Sequence, residues 1–213
     1  PQSYRKKIRW QHKRYNGYHE LAYLRPDVFS PDPTVLQEAG LKESQMFSIV
    51  RFVAWEAAHD RGLKGISLEN KMRVIYELSQ FGPVFISSEG VLPPDLERYR
   101  CKLPSSRMHH LMAYASLIFG ESATMASEGA VLGVPGVYID PVGRGYTDEL
   151  ERDYGLVYNL MPQEQDKAIT TAVEVLSEYN KEVWQERRDK ILKEKIDVNG
   201  LVHMIATKAP FSK

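Results

Sequence analysis

Short apolar runs alternate with helical stripes along most of this chain. Residues 47–53 (FSIVRFV) form a run rich in β-branched and aromatic side chains, which predicts a buried strand. Ser67 then caps a helix through about Phe81, with Leu68, Met72, Ile75 and Leu78 at helical spacing. Gly82-Pro83 ends it, and residues 84–87 (VFIS) are the next strand. Pro93, Pro94 and Pro104 bound an irregular connection. Ser105 or Ser106 opens a helix whose apolar face is Met108, Leu111, Met112 and Ala115. A strand at 117–120, a helix at 122–132, a strand at 136–139, a short helix near 148–154 and a strand at 156–160 follow. Helices at 163–178 and 181–195 carry charged outer faces, and a weaker amphipathic piece spans about 198–207. Strands separated by helical crossovers predict an α/β domain: a Rossmann-like, doubly wound parallel sheet with both faces covered. That domain is expected over 35–195, after a leader at 1–34 and before a helical tail at 196–213. No internal repeat or low-complexity segment interrupts it.

Composition changes this picture little, and charge changes it at one place. The chain has 213 residues with 28 Lys+Arg against 28 Asp+Glu, an ordinary globular balance. Residues 1–25 nevertheless hold seven basic residues against one acid, Glu20, interleaved with Tyr4, Trp10, Tyr15, Tyr18 and Tyr23. Such an arm suits either a nucleic-acid surface or a leader that packs its rings on a neighbouring domain. It matches no nucleic-acid motif, so the packed leader is favoured and no nucleic-acid partner is expected. One cysteine, Cys101, excludes an internal disulfide and a cysteine-built zinc site, and points to a reducing, cytoplasmic setting. Apolar runs are too short for a transmembrane segment, and no signal peptide is visible. A chain that opens on Pro1 is expected to be a piece of a longer protein.

In doubly wound sheets, ligands bind outside the carboxyl ends of the strands, beside helix N-termini. The loops after Val53, Ser87, Gly120, Ile139 and Leu160 are therefore the ones to read. The stretch after Gly120 is the richest: Glu121-Ser122-Ala123-Thr124-Met125-Ala126-Ser127-Glu128, then Leu132-Gly133-Val134-Pro135. Hydroxyl side chains and unpaired amides at a helix start make an anion cradle suited to a diphosphate. Glu128 lies one turn beyond Thr124 on the same face, where its carboxylate suits a ribose diol. The plainer alternative is a capping Ser122 and a solvated Glu128.

This stretch resembles the donor-nucleotide segment in the C-terminal half of GT-B glycosyltransferases and UDP-N-acetylglucosamine 2-epimerases. Those families carry Ser-Gly-Gly-x-x-Glu-Glu, or a hydroxyl-rich version, followed by Leu-Gly-x-Pro. On that spacing Ser122 takes the phosphate-contacting serine position and Glu128 the ribose-binding glutamate. Ala123 and Thr124 replace the two glycines, and Ser127 replaces the first glutamate. More broadly, the chain resembles a family of prokaryotic proteins of unknown function with GT-B folds. That likeness runs through GYHELAYLRPDVFSPD (17–32), RFVAWEAAHDRGLKGISLENK (51–71), FISSEG (85–90), GESATMASEGAVLG (120–133) and GRGYTDELERDYGLVYN (143–159). It implies the C-terminal, nucleotide-binding domain of a GT-B fold, with the N-terminal domain of the same parent as its missing partner. It also implies the donor half of a glycosyltransferase acting in surface polysaccharide or glycoconjugate synthesis, with a UDP-type nucleotide sugar as ligand. The alternatives are a UDP-sugar 2-epimerase half and a non-catalytic nucleotide-sugar or interaction module.

The remaining candidates follow from the other loops. His59, followed by Asp60 and Arg61, stands after the first strand, where epimerase-like families use a His-Arg-Arg-Glu-Asn pattern that this chain lacks. It is either an acid–base or phosphate-binding group oriented by Asp60, or a loop histidine satisfied by its neighbour. Arg51, inside an apolar strand, requires an anion or a structural ion pair. Glu89 and Gly90 line the crevice or form a plain turn. Arg144, in the loop 143–147, is either a diphosphate contact or a solvent-facing cation. His109 and His110 are adjacent and point to different helix faces, so no metal site is expected there or elsewhere. No separate cofactor is expected.

Overall fold

A computed structural model describes residues 14–53, 65–88 and 90–208. Five strands form one parallel sheet: β1 (Ser48–Phe52), β2 (Val84–Ser88), β3 (Leu117–Gly120), β4 (Gly136–Ile139) and β5 (Val157–Leu160). Their order is β2-β1-β3-β4-β5, with Arg51 in register with Ser87 on one side and Gly120 on the other. This is the doubly wound order whose switch point falls between β1 and β3. Central strands β3 and β4 are buried along their whole length, as a sheet covered on both faces requires.

The helices divide between the two faces. On one side α3 (Leu68–Ser79) and α8 (Gln165–Ser177) pack together against the sheet. On the other lie α5 (Met108–Met112), α6 (Ala123–Leu132), α7 (Gly145–Arg152) and α9 (Lys181–Glu194), with α6 touching each of the other three. Two short helices, α1 (Leu21–Leu24) and α2 (Thr34–Glu38), precede the sheet. The closing helix α10 (Val198–Lys208) packs on α1, while α1 also packs on α6. So enclosed, α6 is buried from Met125 to Leu132, although that stretch includes Ser127 and Glu128. A helix covered all round is expected to be apolar all round, which makes those two residues conspicuous.

Caps fall where the sequence placed them. The Ser67 hydroxyl accepts the Asn70 amide, and the Ser122 hydroxyl accepts that of Met125. Gly133 ends α6 in the left-handed conformation at φ +80°. Gly120 is obligatory for a different reason. Its φ is +142°, and a Cβ there would sit 2.0 Å from the Arg51 carbonyl oxygen.

Two expectations need correction. The segment between Pro93 and Pro104 is not wholly irregular. It holds α4 (Pro94–Glu97), whose first helical position tolerates proline because that amide has no partner in a helix. The following residues then pair with the outer edge of β2: the Ile86 amide donates to the Tyr99 carbonyl at 2.7 Å, and the Cys101 amide to the Ile86 carbonyl at 2.9 Å. This covers an edge that would otherwise be open. Residues 143–147 are likewise not all loop, since α7 starts at Gly145. The Thr147 hydroxyl closes its first turn by donating to the Arg144 carbonyl at 2.9 Å. No helix among the described residues is long and apolar enough to cross a membrane.

The described part of the leader is packed rather than free. Tyr18, Leu21 and Leu24 are buried in the main core. Farther along, the Asn16 carbonyl accepts the Ile196 amide at 2.9 Å, joining this segment to the region before α10.

Candidate functional site

The carboxyl ends of β1 and β3 meet at a close approach created by Gly120. The Glu121 amide donates back to the Arg51 carbonyl at 3.1 Å, so the turn into α6 is stitched to the end of β1. Glu121 itself is buried, and its carboxylate accepts the Val53 amide at 3.0 Å and the Ile66 amide at 2.7 Å. One carboxylate therefore holds both flanks of the chain between β1 and α3. The sequence offered no local sign of this role, because the two donors lie 68 and 55 residues away.

Beyond that turn, α6 begins. With Met125 bonded to the Ser122 hydroxyl and the Ala126 amide to the Ser122 carbonyl, the amides of Ala123 and Thr124 have no acceptor within the helix. Thr124 is exposed, and Ser122 and Ala123 are half-buried. The positive end of the helix dipole thus faces outward at the switch point, where an anion is favoured.

Glu128 is far from a solvated surface charge: its residue is 7% exposed. Its Oε1 accepts two hydrogen bonds, from the Tyr23 hydroxyl at 3.0 Å and from His109 Nε2 at 2.9 Å. Tyr23 comes from α1 and His109 from α5, so three elements converge on one oxygen. The bond to Glu128 raises the His109 pKa above its usual value, outweighing the lowering effect of burial. Burial is the main reason the Tyr23 hydroxyl is pushed far above the usual tyrosine range, with the Glu128 charge adding to it. Rings complete the cluster. Tyr23 and His109 lie 5.6 Å apart, Phe29 meets His109 edge-on at 6.4 Å, and His19 meets Tyr23 edge-on at 5.8 Å.

Ser127, one residue earlier, is fully buried and donates to Glu20 Oε1 at 2.7 Å. A carboxylate from the leader thus lies against a serine in the middle of α6. Neither Glu20 nor Tyr23 was among the expected site residues, since contacts 107 and 105 residues apart leave no local pattern. His110, adjacent to His109, turns the other way and accepts the Asp32 amide at Nδ1 (3.0 Å), as neighbouring positions on a helix require.

The other candidates divide. Arg144 caps the end of the β4–α7 connection with its side chain half-exposed, and its guanidinium lies 3.9 Å from Asp140. The Asp140 carboxylate accepts the Tyr138 hydroxyl at 2.6 Å and the amides of Val142 and Gly143, which shapes this turn at the same edge of the sheet. Arg51 donates from Nη1 to the Ser87 hydroxyl at 3.0 Å, so it engages a strand neighbour. Gly90 is held near Ser88, with its amide 3.3 Å from the Ser88 hydroxyl, and its carbonyl accepts from Arg100. His59 and Glu89 lie outside the described residues. Among the described residues no cluster of His, Cys, Asp and Glu is suited to a metal ion. A cavity of about 910 Å³ opens at the opposite, amino-terminal edge of the sheet, lined by Met46, Tyr114, Ser116 and Tyr179 among others.

No family model matches this chain, and no curated protein does. Solved structures do. WaaG, a glycosyltransferase involved in lipopolysaccharide biosynthesis, superposes with a TM-score of 0.59 at 13% identity, over 93% of this chain and 55% of its own. A Listeria monocytogenes protein assigned as a UDP-N-acetylglucosamine 2-epimerase gives 0.54 at 14% identity, over 90% and 51%. The spinosyn forosaminyltransferase SpnP gives 0.53 at 16%, over 84% and 48%. The chain spans about half the length of each of these proteins. At such identities the likeness speaks for architecture: the chain has the Rossmann-like fold of a GT-B C-terminal domain.

Proposed function

We propose that this chain is the donor-binding half of a GT-B glycosyltransferase that takes a nucleotide sugar of the UDP type and acts in surface polysaccharide or glycoconjugate synthesis. The observation that carries this reading is the buried Glu128 carboxylate, fixed on the helix whose N-terminus opens at the β1/β3 switch point. Both hydrogen bonds that join it to described residues fall on Oε1. A ligand diol then takes Oε2. Six residues separate Ser122 from Glu128, about 9 Å along the helix axis. A ribose-diphosphate unit bridges that length. On this reading the ribose lies at Glu128 and the diphosphate at the Ser122, Ala123 and Thr124 end of α6, with Arg144 reaching its oxygens. Arg51 and Gly90 line the β1–β2 side.

The chemistry assigned to this half is leaving-group stabilisation. As an acceptor oxygen bonds to the sugar's anomeric carbon, the bond from that carbon to the diphosphate breaks and negative charge grows on the departing phosphate. Helix-terminal amides and a guanidinium oppose that charge. The acceptor's proton passes to a base outside this half. Holding both reactants across a closed cleft contributes up to roughly 7–11 kcal/mol, which a donor half by itself does not supply.

A thermal-shift panel tests the reading. UDP and UDP-sugars are expected to raise the melting temperature well above the effect of uridine, because a ligand of the folded state stabilises by mass action. Absence of any shift with millimolar nucleotides would refute it, as would preferential, salt-sensitive binding of oligonucleotides. The likeness to the Listeria protein supports a 2-epimerase half as the second reading. Conversion of a UDP-sugar by the chain alone, without acceptor, would favour that one.

A further inference from the structure

We propose, resting on the donor-site reading, that Tyr23 and His109 are positioning residues for Glu128: together they occupy Oε1 and leave Oε2 as the oxygen that accepts a ribose hydroxyl. A glutamate side chain loses considerable rotamer freedom when it is fixed, and a ligand that must fix it bears that cost. Here the cost is met within the fold. Two donors at 3.0 and 2.9 Å stop rotation about the terminal torsion, and ring contacts with Phe29 and His19 hold the donors themselves. Exposure is unequal: the His109 side chain is 37% exposed and that of Glu128 10%. The histidine is thus the titrating member within reach of solvent.

Its proton has a second consequence. A diphosphate bound on α6 lies near the Glu128 carboxylate, and like charges oppose each other. Protonated His109 compensates that carboxylate. The groups around it are few. Glu128 faces it from α6, and Tyr23, with His19 behind, faces it from the leader. Phe29 contributes only a ring, and His110 turns toward Asp32, which pairs with Arg107. Glu20 and Tyr146 act on Tyr23. Among the described residues, Glu128 is the carboxylate bonded to His109.

The test is calorimetric titration of UDP, 2′-deoxy-UDP and uridine into wild type, Tyr23→Phe, His109→Gln and Glu128→Gln at pH 6 and pH 8. Tyr23→Phe keeps the ring and its packing, so it isolates the hydroxyl. It is expected to weaken UDP roughly three- to tenfold at both pH values, the scale of one hydrogen bond. It should also narrow the preference for UDP over 2′-deoxy-UDP, which a merely structural role would leave alone. His109→Gln should weaken UDP roughly two- to fivefold at pH 6, and the gap to wild type should narrow at pH 8, as pH rises toward and past the raised His109 pKa. Ionisation of UDP itself cancels in that ratio, and uridine should show no such pH dependence. NMR titration of the His109 ring should give a pKa above its ordinary value that falls back in Glu128→Gln. If Glu128→Gln weakens UDP while the other two variants bind like wild type, the positioning role is wrong and the donor site stands. If Glu128→Gln also binds UDP like wild type, the donor site and this inference fall together.

Discussion

The Ser127 hydroxyl donates to the Glu20 carboxylate across 2.7 Å, joining the middle of α6 to the leader 107 residues earlier. Both residues are buried, Ser127 fully. Removing the hydroxyl leaves a buried carboxylate oxygen without this donor, which costs about 1–3 kcal/mol. Ser127→Ala is therefore expected to lower unfolding free energy by that amount in urea titration. A variant as stable as wild type would show that Glu20 finds equal solvation elsewhere.

Lys195 and Glu149 form a second buried tie. The Lys195 ammonium donates to Glu149 and, at 2.9 Å, to Asn16 Oδ1, and it also lies over the rings of Tyr18 and Tyr154. Breaking one side of a buried pair costs about 3–5 kcal/mol, more than the pair itself contributes against an apolar replacement. Lys195→Met should destabilise on that scale, and adding Glu149→Leu should recover part of the loss. A double variant less stable than Lys195→Met alone would contradict this account.

Acid should act through Asp32. Its carboxylate accepts from the Thr34 hydroxyl and amide and pairs with Arg107, which together hold its pKa down at about 2 from an ordinary 3.8. Because the folded value is the lower one, its contribution is present above about pH 4 and is lost as pH falls through about 2. Asp32→Asn should melt below wild type at pH 6, with the gap closing near pH 2. A gap that stays constant would assign the loss to packing.

The proposed phosphate role of Arg144 can be tested separately from recognition of the sugar and base. Its guanidinium is half-exposed at the end of the β4 connection, where it bonds to the Tyr138 side chain and pairs loosely with Asp140 at 3.9 Å. Arg144→Ala should weaken UDP far more than uridine by calorimetry. Equal losses would move Arg144 to a structural role.

The sheet and the crossovers were legible because each rests on local pattern. Residues 117–120 and 136–139 read as strands from apolar runs, and Ser67 and Ser122 announced their helices by capping chemistry. The start of α7 was not legible, because Gly145 and Thr147 are poor helix formers and the Thr147 back-bond becomes visible only in the structure. In the site, the motif on α6 marked Glu128. Nothing in that motif marked Tyr23, His109 or Glu20 as partners of the helix. These contacts exist because α1 and α5 pack on α6, a consequence of the tertiary fold that spacing along the chain does not encode.

The central claim is that a nucleoside diphosphate lies along α6, and a crystal structure with UDP tests it most directly. The expected result is a ribose hydroxyl within hydrogen-bond distance of Glu128 Oε2, Oε1 still held by Tyr23 and His109, and the diphosphate against the amides of Ala123 and Thr124. UDP bound instead in the cavity beside Tyr114 and Ser116, or bound with its ribose away from Glu128, would contradict the claim.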